Sequence, residues 1–204
     1  MIPGENSGTT PHKTTYQVTI NFNPAIFKVL LKYLQPSTGE RILDLGCGRG
    51  FYVKEMENYT EGVIGVDISE NSLEKAVTQK VKYGDATDLN FEANSFDKIY
   101  SLHTIEHIPN LKQLFSEIAR VLKPGGIAIT TYPWEPIRGI LAIGGALRQY
   151  KNPLMARKMH LHKLTPKRIE QLIEGTSLSH IESKFIFALS FQYLTVLKKY
   201  KIGC

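Results

Sequence analysis

The sequence has little cysteine and no long apolar run. It contains only Cys47 and Cys204 in 204 residues, so it offers no disulfide framework and suits a reducing compartment. It has no apolar stretch of about eighteen residues, the length that a membrane-spanning helix needs. It also lacks an amino-terminal segment of the secretory kind, in which charged residues precede an apolar run. We therefore expect a soluble, cytoplasmic protein.

Acidic residues are absent from one part of the chain. Residues 136–169 contain eight lysines or arginines and no aspartate or glutamate, whereas the rest of the chain carries 17 basic and 19 acidic side chains. The segment therefore carries a charge of +8 and the rest of the chain a charge of −2, so all of the excess positive charge lies in this segment. Its residues 137–147 are apolar but too few to cross a bilayer. The segment is typical of a lid over an apolar acceptor, of a patch resting on anionic lipid, or of a solvated surface without a dedicated partner.

The length and composition favour one domain over residues 1–204. A chain of this size with 42% hydrophobic residues can fill the core of one α/β domain but not of two. Residues 1–15 are rich in Gly, Ser, Thr and Pro without periodicity, and we predict a flexible lead-in there. We predict that residues 134–165 form a basic, apolar, lid-like insert.

Three glycines at alternate positions follow a short apolar run in residues 42–50, which read Ile-Leu-Asp-Leu-Gly-Cys-Gly-Arg-Gly. This pattern predicts a buried strand that ends in a loop where backbone closely approaches a ligand, with a helix over residues 51–59. The alternative is a tight turn that binds nothing. Asp67 ends the next apolar run, about twenty residues after the first glycine, where nucleotide folds place a ribose-binding acid.

Strands alternate with helical patterns along the chain, which predicts a parallel sheet with ligands outside the carboxyl ends of its strands. We predict helices beginning after Asn23, Ser69, Asn110 and Thr165, the second of them reaching residue 79. The predicted strands cover residues 41–45, 63–66, 81–83, 96–100, 127–132, 180–187 and 192–200.

The glycine spacing differs from the Gly-x-Gly-x-x-Gly of dinucleotide folds. From about residue 26 to residue 129 the sequence resembles the class I S-adenosylmethionine-dependent methyltransferases, specifically the small-molecule type that includes ubiquinone and menaquinone biosynthesis enzymes. The resemblance implies a Rossmann-like seven-stranded sheet of order 3-2-1-4-5-7-6, with strand 7 antiparallel and helices on both faces. It also implies S-adenosylmethionine as cofactor and S-adenosylhomocysteine as product. The cofactor-binding residues expected from it are Asp44, Gly46, Cys47, Gly48, Gly50, Asp67, Ile68, Asp85, Ala86 and Leu102.

Histidines supply the candidate general bases, since their pKa lies near neutrality. The candidates are His103 and His107 after the fourth strand and His160 and His162 in the insert, and of these we predict His107, His103 or His162 in this role. His103-Thr-Ile-Glu106-His107 also fits an inverted zinc-peptidase motif, but the motif follows a strand rather than lying on a helix, which disfavours proteolysis. In the quinone O-methyltransferases that this stretch resembles, an acid at the place of His103 joins the Glu and His in holding a divalent ion. The change to His103 puts magnesium in doubt, so we predict no metal ligands and expect Glu106 and His107 to support the loop by hydrogen bonds, with a divalent metal as the open alternative.

The predicted function is methyl transfer to an oxygen, carbon or nitrogen of a small or amphiphilic molecule, with peripheral contact to an anionic membrane as a further hypothesis. An RNA methyltransferase that uses the basic insert is a second candidate. The Asn/Asp-Pro-Pro-aromatic signature of base methylation is absent, however, so we expect no dedicated nucleic-acid partner. A third candidate is a protein that binds S-adenosylmethionine without catalysis. A fourth is an NAD-dependent dehydrogenase, which the glycine spacing disfavours.

Overall fold

Capped helices and buried apolar runs account for most of the regular structure. The computed structural model describes residues 22–188 and 190–200, so the predicted lead-in over residues 1–15 lies outside the described residues. The first helix begins at the capping residue that its local sequence predicts. Asn23 accepts hydrogen bonds from the backbone N–H groups of Ala25 and Ile26, with Pro24 in the first turn.

The helices are α1 (Pro24–Leu34), α2 (Phe51–Met56), α3 (Glu70–Leu73), α4 (Leu111–Val121), α5 (Ile143–Tyr150), α6 (Ala156–Met159) and α7 (Pro166–Ile173). The strands are β1 (Arg41–Leu45), β2 (Gly62–Asp67), β3 (Val81–Tyr83), β4 (Phe96–Leu102), β5 (Leu122–Pro133), β6 (Leu178–Phe187) and β7 (Phe191–Lys199). Short 3-10 turns cover Ile105–His107, Ile140–Ala142 and Pro153–Met155.

The seven strands form one sheet in the order 3-2-1-4-5-7-6. Strands β1 to β5 run parallel, and β7 pairs antiparallel with both β5 and β6. Two apolar clusters cover the two faces. One holds residues of α1 and α2, and the other holds residues of α4 and α7. The predicted fold is confirmed, and the carboxyl ends of β1, β2 and β4 meet at one edge of the sheet.

The helix predicted after Ser69 is much shorter than expected. The Ser69 hydroxyl caps it as predicted, but α3 ends at Leu73. The backbone after Leu73 makes hydrogen bonds to residues outside the helix. Val77 N–H donates to the Arg49 carbonyl, and Arg49 Nε donates to the Lys75 carbonyl. These contacts with the glycine loop satisfy groups that a longer helix would have used internally. Tertiary hydrogen bonds therefore override the local helical pattern here.

The insert, residues 134–165, contains α5, α6 and two of the 3-10 turns. Its helices pack on one another through Ala142, Ala146, Ala156 and Met159. Glu135, which is only 3% exposed, accepts hydrogen bonds from the N–H groups of Gly139 and Leu141, each 3.0 Å long. None of the described helices has the length and apolar character needed to cross a membrane.

Candidate functional site

The glycine loop turns the chain sharply from β1 into α2. Gly46, Gly48 and Gly50 have φ angles of +79°, +54° and +75°, in the left-handed region that favours glycine. The N–H groups of Gly46 and Cys47 both donate to the Val66 carbonyl of β2, at 2.8 and 3.0 Å. The loop is thereby fixed against the neighbouring strand before any ligand binds.

Asp67 joins this loop to the end of β2. Its carboxylate accepts a hydrogen bond of 2.7 Å from Gly48 N–H and one of 2.8 Å from Ser69 N–H. A Cβ added at Gly48 would meet no atom within 4 Å, so open space borders the loop at this point. Ile68, which follows Asp67, is 49% exposed. The loop therefore has open space at Gly48, with the Asp67 carboxylate bonded to it and the exposed side chain of Ile68 following.

The remaining predicted cofactor residues divide into two sets. The carboxylate of Asp85 accepts from the N–H and the hydroxyl of Thr87, which fixes the turn after β3. A surface cleft of about 380 Å³ lies beside that turn. The side chains of Asp44, Cys47 and Leu102 are buried instead. Burial raises the pKa of the Asp44 carboxyl, an effect that the Tyr100 hydroxyl partly offsets, and burial also raises the pKa of the Cys47 thiol.

His103 lies in a left-handed conformation, with φ of +52°, directly after β4. Its Nε2 is 2.8 Å from Gln192 Oε1 and its Nδ1 is 3.5 Å from Glu106 Oε1. Burial alone would lower the pKa of His103, but the hydrogen bond to Glu106, its charge and the bond to Gln192 raise it overall. Both ring nitrogens thus face oxygen acceptors.

The segment 106–108 is bonded to the last residues of the insert at three points. Leu161 N–H donates to the Glu106 carbonyl, His107 Nδ1 to the Met159 carbonyl and His162 Nε2 to the Ile108 carbonyl. The predicted base His162 is therefore one of the links between the insert and this segment. Burial lowers the pKa of His107, against the opposing effect of Glu106.

The structure also brings His160 to the same place. Its Nδ1 is 2.9 Å from Glu135 Oε1, and its ring centroid is 5.1 Å from that of His107. One ligand atom from each of Glu106, His107 and His160 lies within 4.8 Å of the other two. The sequence pattern paired Glu106 with His107 but gave no role to Glu135 or Gln192. No spacing rule connects those two with the histidine segment.

A family model described as a methyltransferase domain matches residues 43–130. The matched stretch runs from β1 into β5, and it includes the glycine loop, Asp67, Asp85 and segment 103–108. The predicted resemblance to the methyltransferase family is confirmed over this stretch, which makes up less than half of the chain.

Two curated relatives show how far the likeness extends. A sterol 24-C-methyltransferase from Pneumocystis carinii (strain B80) is 36% identical over 107 residues, which make up 47% of this chain and 28% of that protein. A ubiquinone biosynthesis O-methyltransferase from Dechloromonas aromatica (strain RCB) is 29% identical over 175 residues, 81% of this chain and 73% of that one. The match with the sterol enzyme therefore spans less than a third of that enzyme's length.

A solved structure shares the fold at lower identity. Geranyl diphosphate C-methyltransferase from Streptomyces coelicolor A3(2), in complex with Mg²⁺, geranyl diphosphate and S-adenosyl-L-homocysteine, superposes with a TM-score of 0.67 at 17% identity. The superposition covers 87% of this chain and 77% of that one. This superposition agrees with the sheet architecture described above.

The protein exposes an aromatic patch at the edge of the sheet where these loops lie. The patch consists of Trp134, Phe185, Phe187 and Phe191, all at least 39% exposed. Phe191 stacks on Phe185 with ring centroids 5.5 Å apart and lies 5.1 Å from Phe187. Because Pro133 at the end of β5 pairs with Gln192 of β7, the patch adjoins the beginning of the insert.

Proposed function

We propose that this methyltransferase transfers a methyl group from S-adenosylmethionine to a small amphiphilic acceptor at the carboxyl edge of the sheet. The observation that carries the proposal is the preformed loop at Gly48, where the backbone borders open space beside the Asp67 carboxylate. Aromatic and apolar side chains are exposed along the same edge, where an acceptor would approach. They favour an acceptor with a substantial apolar part.

The residues present fit the cofactor. Gly48 leaves room that a Cβ would fill, and the Asp67 oxygens retain lone pairs that can accept from ribose hydroxyls. Ile68 and the Asp85 turn provide an apolar and a polar contact for the base. S-adenosylmethionine supplies an electrophilic methyl group with a good leaving group, so the protein's part is to position the acceptor and exclude water.

The sterol and ubiquinone relatives act on lipid-like molecules, as their names state. That likeness, together with the aromatic patch, supports an apolar acceptor over RNA or an acceptor-free binding role. The basic insert then provides attraction to the anionic surface in which such an acceptor would reside.

Replacing Asp67 by asparagine is expected to weaken S-adenosylmethionine and S-adenosylhomocysteine binding by tenfold or more, about 1.4 kcal/mol. The amide keeps one acceptor oxygen but loses the charge and the second acceptor. Calorimetric titration of wild type and variant with both compounds and with NAD measures the effect. Micromolar binding of the first two by wild type supports the proposed cofactor.

Asp97→Asn is the matched control for this titration. Asp97 also accepts from a backbone N–H, that of Arg41, but at the opposite edge of the sheet. Its variant is expected to bind both compounds as wild type does. Binding of NAD alone, or equal weakening by the two substitutions, would contradict the proposed cofactor site.

Reversing two exposed charges of the insert with Arg157→Glu/Lys158→Glu is expected to reduce binding to phosphatidylglycerol-containing vesicles by tenfold or more. Each basic residue near an anionic surface contributes about 1 kcal/mol. Vesicle flotation measures the bound fraction. The double variant Lys28→Glu/Lys32→Glu makes the same charge change on exposed positions of α1. Equal flotation of all three proteins would remove the membrane hypothesis and leave the methyltransferase proposal intact.

A further inference from the structure

The stretch 140–150 of the insert, a 3-10 turn followed by α5, buries its small side chains and exposes its large ones. Ala142 and Ala146 are buried against the rest of the insert, together with Ala156 and Met159. The solvent side of the stretch is covered by large apolar side chains. They are Ile140, Leu141, Ile143 and Leu147, each between 39% and 49% exposed. A helix on the surface of a soluble protein normally has the reverse pattern, with its apolar stripe toward the core.

This exposed apolar surface continues along the chain in both directions. Ile137 is exposed before the stretch, and Leu154 is 80% exposed after it. These two side chains and the four named above are the outer face of the insert. Trp134 of the aromatic patch lies three residues before Ile137, so the two exposed surfaces adjoin. Exposed apolar surface of this extent marks a site of interaction with another protein or with a membrane.

The charges beside the outer face indicate what covers it. Four exposed lysines or arginines lie in the same part of the chain, and residues 136–169 include no acidic side chain. They are Arg148, Lys151, Arg157 and Lys158. A second copy of this chain would bring an equal positive charge against the face, which disfavours a dimer. An anionic bilayer supplies both the opposite charge and an apolar interior, and large apolar side chains next to lysine and arginine are typical of helices in a membrane interface.

We propose that the outer face of the insert penetrates an anionic bilayer, with its apolar side chains at the level where lipid headgroups meet acyl chains. The proposal rests on the membrane contact in the proposed function and goes beyond it, because charge attraction alone would leave these side chains in water. Interfacial helices bury their apolar face about 5–10 Å into this boundary. The ring of Trp134 then lies at the interface, where tryptophan is enriched in membrane proteins.

Penetration also fixes the orientation of the sheet on the membrane. The end of the insert is bonded to the segment after β4, since Leu161 N–H donates to the Glu106 carbonyl and His162 Nε2 to the Ile108 carbonyl, both over 2.9 Å. The insert begins directly after the end of β5. Both connections are at the carboxyl edge of the sheet, so this edge faces the bilayer. An amphiphilic acceptor then enters the site from the lipid without crossing water.

Tryptophan fluorescence tests the proposal, because Trp134 is the only tryptophan in the chain. Full-length protein is mixed with vesicles of phosphatidylcholine and phosphatidylglycerol, with or without bromine on the acyl chains. Wild type is expected to show a blue-shifted emission that brominated lipid quenches. It is also expected to remain bound at about 1 M salt, where exposed charges more than about 3 Å apart are screened.

Leu147→Gln/Leu154→Gln removes two apolar side chains of the outer face without changing the charge. This variant is expected to bind vesicles tenfold or more weakly than wild type and to lose the quenching by brominated lipid. The matched control is Ile181→Gln/Tyr200→Gln, which replaces two side chains that are more than half exposed on β6 and after β7. The control is expected to bind within twofold of wild type. Circular dichroism establishes that each variant is folded.

Three results would overturn the proposal. They are binding that vanishes at high salt, quenching that is absent in wild type or equal in wild type and Leu147→Gln/Leu154→Gln, and a lipid-free wild-type dimer that this variant dissociates. The last would show that a second copy covers the outer face. The assay needs neither cofactor nor acceptor, so its result is independent of S-adenosylmethionine binding, and a failure of penetration leaves the proposed cofactor site intact.

Discussion

Replacing Gly46 by alanine is expected to destabilise the protein by about 3 kcal/mol or more. A Cβ at this position would collide with Thr104 Cγ2 and stand 2.7 Å from Thr104 Cβ. Side-chain rotation cannot move the Thr104 Cβ, so the backbone itself must shift, at a cost of about 1–3 kcal/mol. The left-handed φ of +79° adds about 1–2 kcal/mol for a residue with a Cβ. Urea unfolding measures the change in free energy.

Gly39→Ala separates the two contributions. Gly39 has nearly the same backbone conformation, with φ of +83°, but a Cβ there would meet nothing within 4 Å. Its variant is expected to lose only the conformational part, about 1–2 kcal/mol. If both variants lose the same free energy, the contact between the glycine loop and Thr104 is not a constraint on the fold.

Replacing Glu135 by alanine is expected to open the insert and raise its rate of tryptic cleavage by a hundredfold or more. The substitution removes three acceptor contacts, with Gly139 N–H, Leu141 N–H and His160. Hydrogen bonds to a charged group contribute about 1.5–3 kcal/mol each. Cleavage under native conditions follows the population of the opened form, and tenfold corresponds to about 1.4 kcal/mol. Exposed Arg148, Lys151 and Arg157 are the expected cleavage positions, which mass spectrometry identifies.

Glu174→Ala makes the same substitution at an exposed position after α7. It is expected to leave the cleavage rate within twofold of that of wild type. If Glu135→Ala is cleaved at the wild-type rate, the insert is held by its other contacts rather than by this carboxylate.

Local signals predicted the first strands of the sheet and the loop between them well. The strands Arg41–Leu45 and Val81–Tyr83 lie where the apolar runs placed them, and α1 begins at its predicted cap. The three glycines at left-handed φ angles are required within one short loop, so their spacing carries information by itself. The order of the strands came from the family resemblance rather than from any local pattern.

The arrangement around the histidines could not be predicted in this way. The contact of His160 with His107 depends on how the insert folds back, and the insert's own helices are held by the buried Glu135. Gln192 reaches His103 only because β7 inserts between β5 and β6. Likewise, α3 is short because Val77 and Lys75 both form hydrogen bonds with Arg49. The spacing of apolar residues in the sequence does not predict these bonds.

The family match ends at residue 130, just before the insert and the hairpin of β6 and β7. The aromatic patch and the basic segment lie beyond that point, while Asp67 and the glycine loop lie before it. Under the proposed function, the preference for an acceptor therefore depends on residues outside the family match, whereas cofactor binding depends on residues inside it.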